Sequence, residues 1–257
     1  MMTGVREKEL IEAANLLMDA RRTMTLIADL PTTLKPTSMD EAYFVNAILA
    51  EVYGEVGGWK IGAMGLEDTP IFAPLPKAWI VPSGALLSKA SCKYRGIEAE
   101  IAFMLGEDLP PREIPYSREE VLAAVASCHP VIEELESALL DPGLPEVKLS
   151  KDADLQMHGA LVYGPAFAGW RDCDFSKERV TLAVEGVVRA DRVGSNASGD
   201  LLGLLPSLAN RGAKWTCGLK AGQWITTGNW TGKINGLSGS DVDVLFEHVG
   251  RVELRFE

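Results

Sequence analysis

The sequence predicts an α+β fold, with a helical N-terminal region over residues 1–62 carried on a mostly β body over residues 63–257. Three observations lead there. Apolar residues recur at helical spacing through the first sixty positions. Short runs with strand character, separated by turn residues, fill the second half. Between them an apolar segment, Gly96 to Phe103, carries two glutamates one residue apart, Glu98 and Glu100.

Taken in order, Leu10, Ala13, Ala14 and Leu17 mark the stripe of a first helix, and Pro31 and Pro36 break the pattern. Ser38-Met39-Asp40-Glu41 has the form of a capping box. The helix after it is expected to bury Ala42, Val45, Ile48, Leu49 and Val52, and Gly57-Gly58 to end the helical region. Trp59 to Gly62 reads as a short strand, and the proline-rich stretch Pro70 to Pro82 as weakly structured. Ile97 to Leu105 reads as a buried strand. A second capping box, Ser117 to Glu120, opens a helix carrying Val121, Leu122 and Val125, and Pro130 to Glu133 follows as an extended segment. Ala160 to Tyr163 is apolar, and Val180 to Val188 alternates around a hairpin-like Glu185-Gly186. Leu201 to Asn210 predicts one helix. Gln223 to Thr227, Val242 to Phe246 and Val249 to Phe256 predict strands.

Composition narrows the function. The chain has 257 residues, 47% hydrophobic and 24% charged, which is ordinary for a soluble globular protein. No apolar run approaches a membrane span and no signal peptide is visible, so the expected location is cytoplasmic, with no membrane partner. A net charge of -11 argues against broad, salt-driven nucleic-acid binding, which needs a basic footprint. The four cysteines form no CxxC pair and read as structural thiols; three scattered histidines do not suggest zinc.

The Glu98-Ala99-Glu100 strand is the chemical signal. Alternation points both carboxylates to one face, their Cα atoms about 7 Å apart. Two anions facing one space repel unless a cation lies between them or one is protonated. An all-oxygen set suits a hard divalent cation such as magnesium. Taken alone, an E-x-E also fits a solvated edge strand.

Further features accompany it. Trp59-Lys60-Ile61-Gly62 precedes the pair, Pro130-Val131-Ile132-Glu133 follows it, and Ala221-Gly222-Gln223 with Thr226 to Gly232 closes the chain. In this ordered set the chain resembles the 2-keto-4-pentenoate hydratase group of the fumarylacetoacetate hydrolase superfamily. The resemblance implies a fumarylacetoacetase C-terminal-domain-like β-roll over residues 63–257. It also implies a Mg2+ or Mn2+ site on Glu98, Glu100 and Glu133, Lys60 beside the metal as the catalytic group, and a homo-oligomer. The substrate it implies is a small 2-oxo acid or its enol. Lys60, buried near that cation, is expected to have a lowered pKa and to shuttle the proton; its alternative role is charge pairing with the substrate carboxylate. Lys151, eighteen residues after Glu133, Asn229 in the terminal glycine-rich turn, and His158 are the candidate substrate-binding residues. Glu136 is expected to support the third ligand, and Trp230 is a candidate for the pocket wall. Relatives often carry Asp-Asn-Ala after the third ligand; this chain has Asp154-Leu155-Gln156-Met157-His158.

The activity implied first is hydration of a 2-hydroxy-2,4-dienoate to a 4-hydroxy-2-oxo acid, in aromatic-compound catabolism. Alternatives are a decarboxylase of a 2-oxo-3-enedioate of the 4-oxalocrotonate type, an acylpyruvate C–C hydrolase, and a non-catalytic scaffold. The hydrolases pair a histidine with a glutamate in a helical lid, and this chain has no histidine before His129.

Overall fold

A computed structural model of the chain describes residues 3–257. Two helices, α1 (Gly4–Thr23) and α2 (Met39–Tyr53), lead into β1 (Val56–Gly62), β2 (Ile71–Pro76), β3 (Ile80–Pro82), β4 (Ala85–Leu87) and β5 (Gly96–Leu105). Helix α3 (Arg118–Ala123), β6 (Val125–Leu135), α4 (Lys148–Ala153) and β7 (His158–Tyr163) follow. The chain then forms β8 (Arg179–Val184), β9 (Val187–Val193), α5 (Leu201–Arg211), α6 (Ala213–Thr216), β10 (Trp224–Thr226), β11 (Ile234–Asn235), β12 (Asp241–Phe246) and β13 (Gly250–Phe256). The fold is α+β. No described helix is long and apolar enough to cross a membrane.

One sheet runs β2-β1-β10-β5-β6-β7-β3, with β11 beside β5; a second runs β4-β13-β12-β8-β9. Alternation along β5 sorts its side chains. Ile97, Ala99, Ile101 and Phe103 face the second sheet and join one core with Leu182, Val244, Phe246 and Phe256. Glu98, Glu100, Ala102 and Met104 take the opposite face. The register carries that face across the sheet. Glu98 pairs with Glu133, Ala102 with Thr226, and Thr226 with Lys60. Deeper on the same face, Leu75, Ala102, Val131, Leu161 and Trp224 form a separate apolar cluster. Charge therefore occupies one part of this face and a greasy plug the rest.

Helices α1 and α2 pack on Leu139, Val147, Ala153 and Leu155 through Leu10, Ala13, Leu17, Ala42, Val45 and Leu49. Val52, counted in the stripe from sequence, is 55% exposed, because in the last turn of α2 it is Tyr53, four residues after Leu49, that continues the face packed on this core. Ser117 and Glu120 make a complete capping box. At Ser38 only half forms: Ser38 caps Glu41 N–H, but the Glu41 carboxylate takes Thr37 N–H and Arg6 instead.

Three expectations are corrected. Gly57 and Gly58 do not end a region but lie inside β1. A Cβ on Gly58 would stand 2.4 Å from the Trp224 carbonyl oxygen of the neighbouring strand, so close approach explains that glycine. Pro70 to Pro82 is not weakly structured. It contains β2 and β3, and its prolines are tolerated because both strands end the sheet, where one row of N–H groups needs no partner. Val125 does not belong to α3 but begins β6. At the β8–β9 hairpin the expected turn is present: Glu185 and Gly186 both have positive φ, 53° and 72°, as a type I′ turn requires.

Candidate metal centre and active site

Glu98, Glu100 and Glu133 converge, each offering an oxygen within 4.8 Å of the others. Glu100 and Glu133 are buried and Glu98 is partly so. Neighbouring donors fix two of them. Glu100 Oε2 accepts from the Thr226 hydroxyl and, at 3.0 Å, from Gly228 N–H. Glu98 Oε1 accepts from Asn229 Nδ2 at 2.9 Å. Asn229 is itself held by its turn, its Oδ1 accepting from Thr231 N–H (2.8 Å) and Gly232 N–H (2.9 Å).

Lys60 meets Glu133 from across the roll, with Nζ 2.7 and 2.8 Å from the two carboxylate oxygens. Strands β10 and β5 lie between β1 and β6. In a flat sheet the two backbones would be about 14 Å apart. The ion pair therefore reports the curl of the sheet. Lys60 also donates to the Gln156 carbonyl at 3.1 Å. That carbonyl is presented by a left-handed turn at Leu155, Gln156 and Met157, with φ of 50°, 50° and 66°. Three consecutive non-glycine residues in this region store strain, each costing on the order of 1 kcal/mol or more. Arg21 of α1 clamps the segment. Its guanidinium bonds Asp154 Oδ1 (2.6 Å) and the carbonyls of Glu136, Asp154 and His158. Asn46 of α2 bonds the Asp152 carbonyl and Leu155 N–H. The helices thus hold the turn that faces Lys60.

The electrostatics follow from burial and crowding. Burial, with Glu133 and Glu98 nearby, pushes Glu100 up to about 8. Burial also pushes Glu98 up to about 7; Lys60 offsets part of the rise and Glu133 adds to it. Burial would raise Glu133 too, but Lys60 and His158 outweigh it and hold this carboxyl below its ordinary value. Burial would lower Lys60, yet Glu133, Glu100 and Glu98 together outweigh it and raise the ammonium above the usual lysine range. In the metal-free chain the three carboxylates thus hold the lysine proton; the lowering expected from sequence is that of a lysine beside a bound cation. Burial keeps His158 neutral. An ionised Glu133 only accepts, so Nδ1 carries the proton of the 2.9 Å bond between them.

An open cavity of about 410 Å³ lies over this cluster, lined by Lys60, Glu98, Glu100 and Asn229 with Met64, Ile71, Asn196 and Ser198. Three oxygen ligands whose mutual repulsion the chain leaves partly unrelieved fit a hard divalent cation.

The remaining sequence candidates fall at different distances. His158 lies behind Glu133, fully buried and stacked on Trp79, and is not in the cavity wall. On α4 the lysine lining the cavity is Lys148, one turn before Lys151. Glu136 does not reach Glu133; its carboxylate accepts from the N–H groups of Lys93, Tyr94 and Ser137. Trp230 is buried in the main core against Phe246. Thr226, the Gly228 N–H, the Gln156 carbonyl, Arg21 and Lys148 were not singled out from sequence. Only Thr226 had a usable signal, as a polar residue in an apolar strand.

No family model matches the chain. Over 213 residues, 82% of this chain and 78% of the relative, it is 28% identical to the 4-oxalocrotonate decarboxylase of Pseudomonas putida. It is 26% identical to the 2-keto-4-pentenoate hydratase of Paraburkholderia xenovorans over 96% of this chain and 94% of that protein. Among solved structures, 4-oxalocrotonate decarboxylase from Pseudomonas putida G7, complexed with magnesium and adipate, superposes with a TM-score of 0.85 at 23% identity, covering 100% and 99% of the two chains. Over nearly its whole length the chain is thus similar in sequence to a 4-oxalocrotonate decarboxylase and a 2-keto-4-pentenoate hydratase, and it shares the fold of the solved decarboxylase.

Proposed function

We propose that the protein is a divalent-metal-dependent lyase that adds water to a 2-hydroxy-2,4-dienoate, giving a 4-hydroxy-2-oxo acid. The convergence of Glu98, Glu100 and Glu133 under an open cavity carries this reading. These three residues would hold Mg2+ or Mn2+. When bound, the cation supplies Lewis-acid charge to the oxo and carboxylate oxygens of a 2-oxo acid.

The chain supplies the rest. In the metal-free chain Lys60 keeps its proton, so it would serve as a fixed positive charge facing the carboxylate of a 2-oxo acid. Glu133 and the Gln156 carbonyl hold its ammonium in one place. Asn229 orients Glu98 and stands in the cavity wall, where its amide can meet substrate. His158 acts behind Glu133, positioning that carboxylate. Met64 and Ile71 offer an apolar wall suited to an uncharged dienoate tail.

A second reading is decarboxylation of a 2-oxo-3-enedioate; Lys148 at the cavity edge pairs with Asp152 at 2.7 Å and would have to turn from it to meet a second carboxylate. Incubation with 2-hydroxypenta-2,4-dienoate and with a 2-oxohex-3-enedioate separates the two. Water addition to the first supports hydratase, and carbon dioxide from the second supports decarboxylase. Calorimetry with magnesium and oxalate tests the shared premise: an absence of metal binding, or metal binding without oxalate binding, overturns both.

A further inference from the structure

A second cavity, about 550 Å³, lies behind β6 and shares no lining residue with the metal-site cavity. Strand alternation makes it. Glu133 faces the roll interior, so Glu134 faces the other way. Tyr53 and Trp79, with ring centroids 4.7 Å apart, line it with Val81, Leu87 and Cys92, and Glu134 is a buried carboxyl in its wall, beside Arg21, Arg22 and Glu136. Glu134 is 1% exposed, and its Oε1 has no hydrogen-bond partner among the described residues; neither has the buried Tyr53 hydroxyl. A Cβ on Gly159 would stand 2.0 Å from Glu134 Oε2, so the glycine makes room for this carboxyl.

The other charged groups in the wall have partners of their own. Arg21 is committed to Asp154 and three backbone carbonyls. Arg22 pairs with Asp19. Glu136 is satisfied by three backbone N–H groups. Glu134 is left with no cation at salt-bridge distance among the described residues. A buried polar atom without a partner is costly, and water alone is a poor filler for a space of this size with aromatic and aliphatic walls. An ammonium would bring N–H donors to the unpartnered Glu134 oxygen and favour its ionised form, while the Trp79 and Tyr53 rings would receive an apolar body and the cation itself.

We propose that this cavity is a binding site for a small primary amine with an aromatic or aliphatic body, whose ammonium pairs with Glu134 and the Tyr53 hydroxyl. The inference is independent of the reaction proposed above.

The test is calorimetry on the full chain with benzylammonium and its neutral analogue benzyl alcohol, in saturating magnesium and oxalate so that the metal-site cavity is filled. Benzylammonium is expected to bind one to one, about tenfold more tightly than the alcohol. Glu134→Gln should remove that preference and leave alcohol binding unchanged. Trp79→Leu should weaken both ligands, and it carries the test if the glutamine variant does not fold. No saturable binding to the native protein overturns the proposal, whether water or a second copy of the chain fills the space. So does equal benzylammonium affinity in Glu134→Gln, or displacement of the amine by oxalate or magnesium.

Discussion

Replacing Lys60 with methionine tests the electrostatic account of the site most directly. The lysine and Glu133 side chains are 14% and 0% exposed, and the ammonium contacts both carboxylate oxygens. Removing one partner of such a pair leaves a buried charge uncompensated, at about 3–5 kcal/mol. At ~2–4 °C per kcal/mol for a chain of this size, melting of the metal-free protein should fall on the order of 10 °C. Two conditions shrink the deficit. Magnesium replaces the lost positive charge, so it should raise the variant's melting temperature more than the native protein's. Acid does the same by protonating the carboxylates. Without Lys60 the folded pKa of Glu133 rises, and a raised carboxyl contributes stability at low pH that is lost as pH climbs through the folded value. Calorimetric melting of both proteins, with chelator and with magnesium, at about pH 5.5 and about pH 8, reads all of this. A Lys60→Met protein that melts within ~2 °C of native in chelator at the higher pH, or equal magnesium shifts in both, would refute the reasoning.

Metal binding itself should be pH-dependent. With Glu100 near 8 and Glu98 near 7 in the metal-free chain, both are partly protonated at neutral pH, so magnesium must displace protons. Affinity should climb between about pH 6 and about pH 8, with a buffer-dependent heat of binding; a flat profile contradicts the assigned crowding. By the same linkage, raised carboxyls favour the folded state below their unfolded values, so the metal-free protein should lose stability as pH rises through 7 to 8, and saturating magnesium should flatten that slope. Glu98→Ala should abolish metal affinity and turnover together; full activity in chelator would remove the metal from the mechanism. Asn229→Ala frees the Glu98 carboxylate and should weaken magnesium binding about 10–100-fold, read by titration calorimetry, with unchanged affinity assigning Asn229 to the turn alone. Phe103→Ala, in the core between the sheets, should cost about 3–5 kcal/mol in denaturant unfolding while leaving metal affinity intact.

Periodicity alone determined much of this protein. Leu10, Ala13, Ala14 and Leu17 define one buried face because a helix repeats every 3.6 residues, and Glu98 and Glu100 share a face because a strand repeats every two. Turn chemistry likewise marked Glu185-Gly186, where positive φ at both positions joins two twisted strands. The prolines of β2 misled, because whether a missing N–H matters depends on which strand lies at an edge, and pairing order is not local. The same holds at the site. That Lys60 would reach Glu133 depends on the curl of a sheet with two strands between them. That its proton would be held more tightly depends on how many carboxylates the curl gathers around it. The Gln156 carbonyl, Arg21 and the uncompensated Glu134 are legible only in three dimensions. A backbone carbonyl has no sequence signature, and a buried charge is satisfied or not by whatever the fold brings within about 3 Å of it.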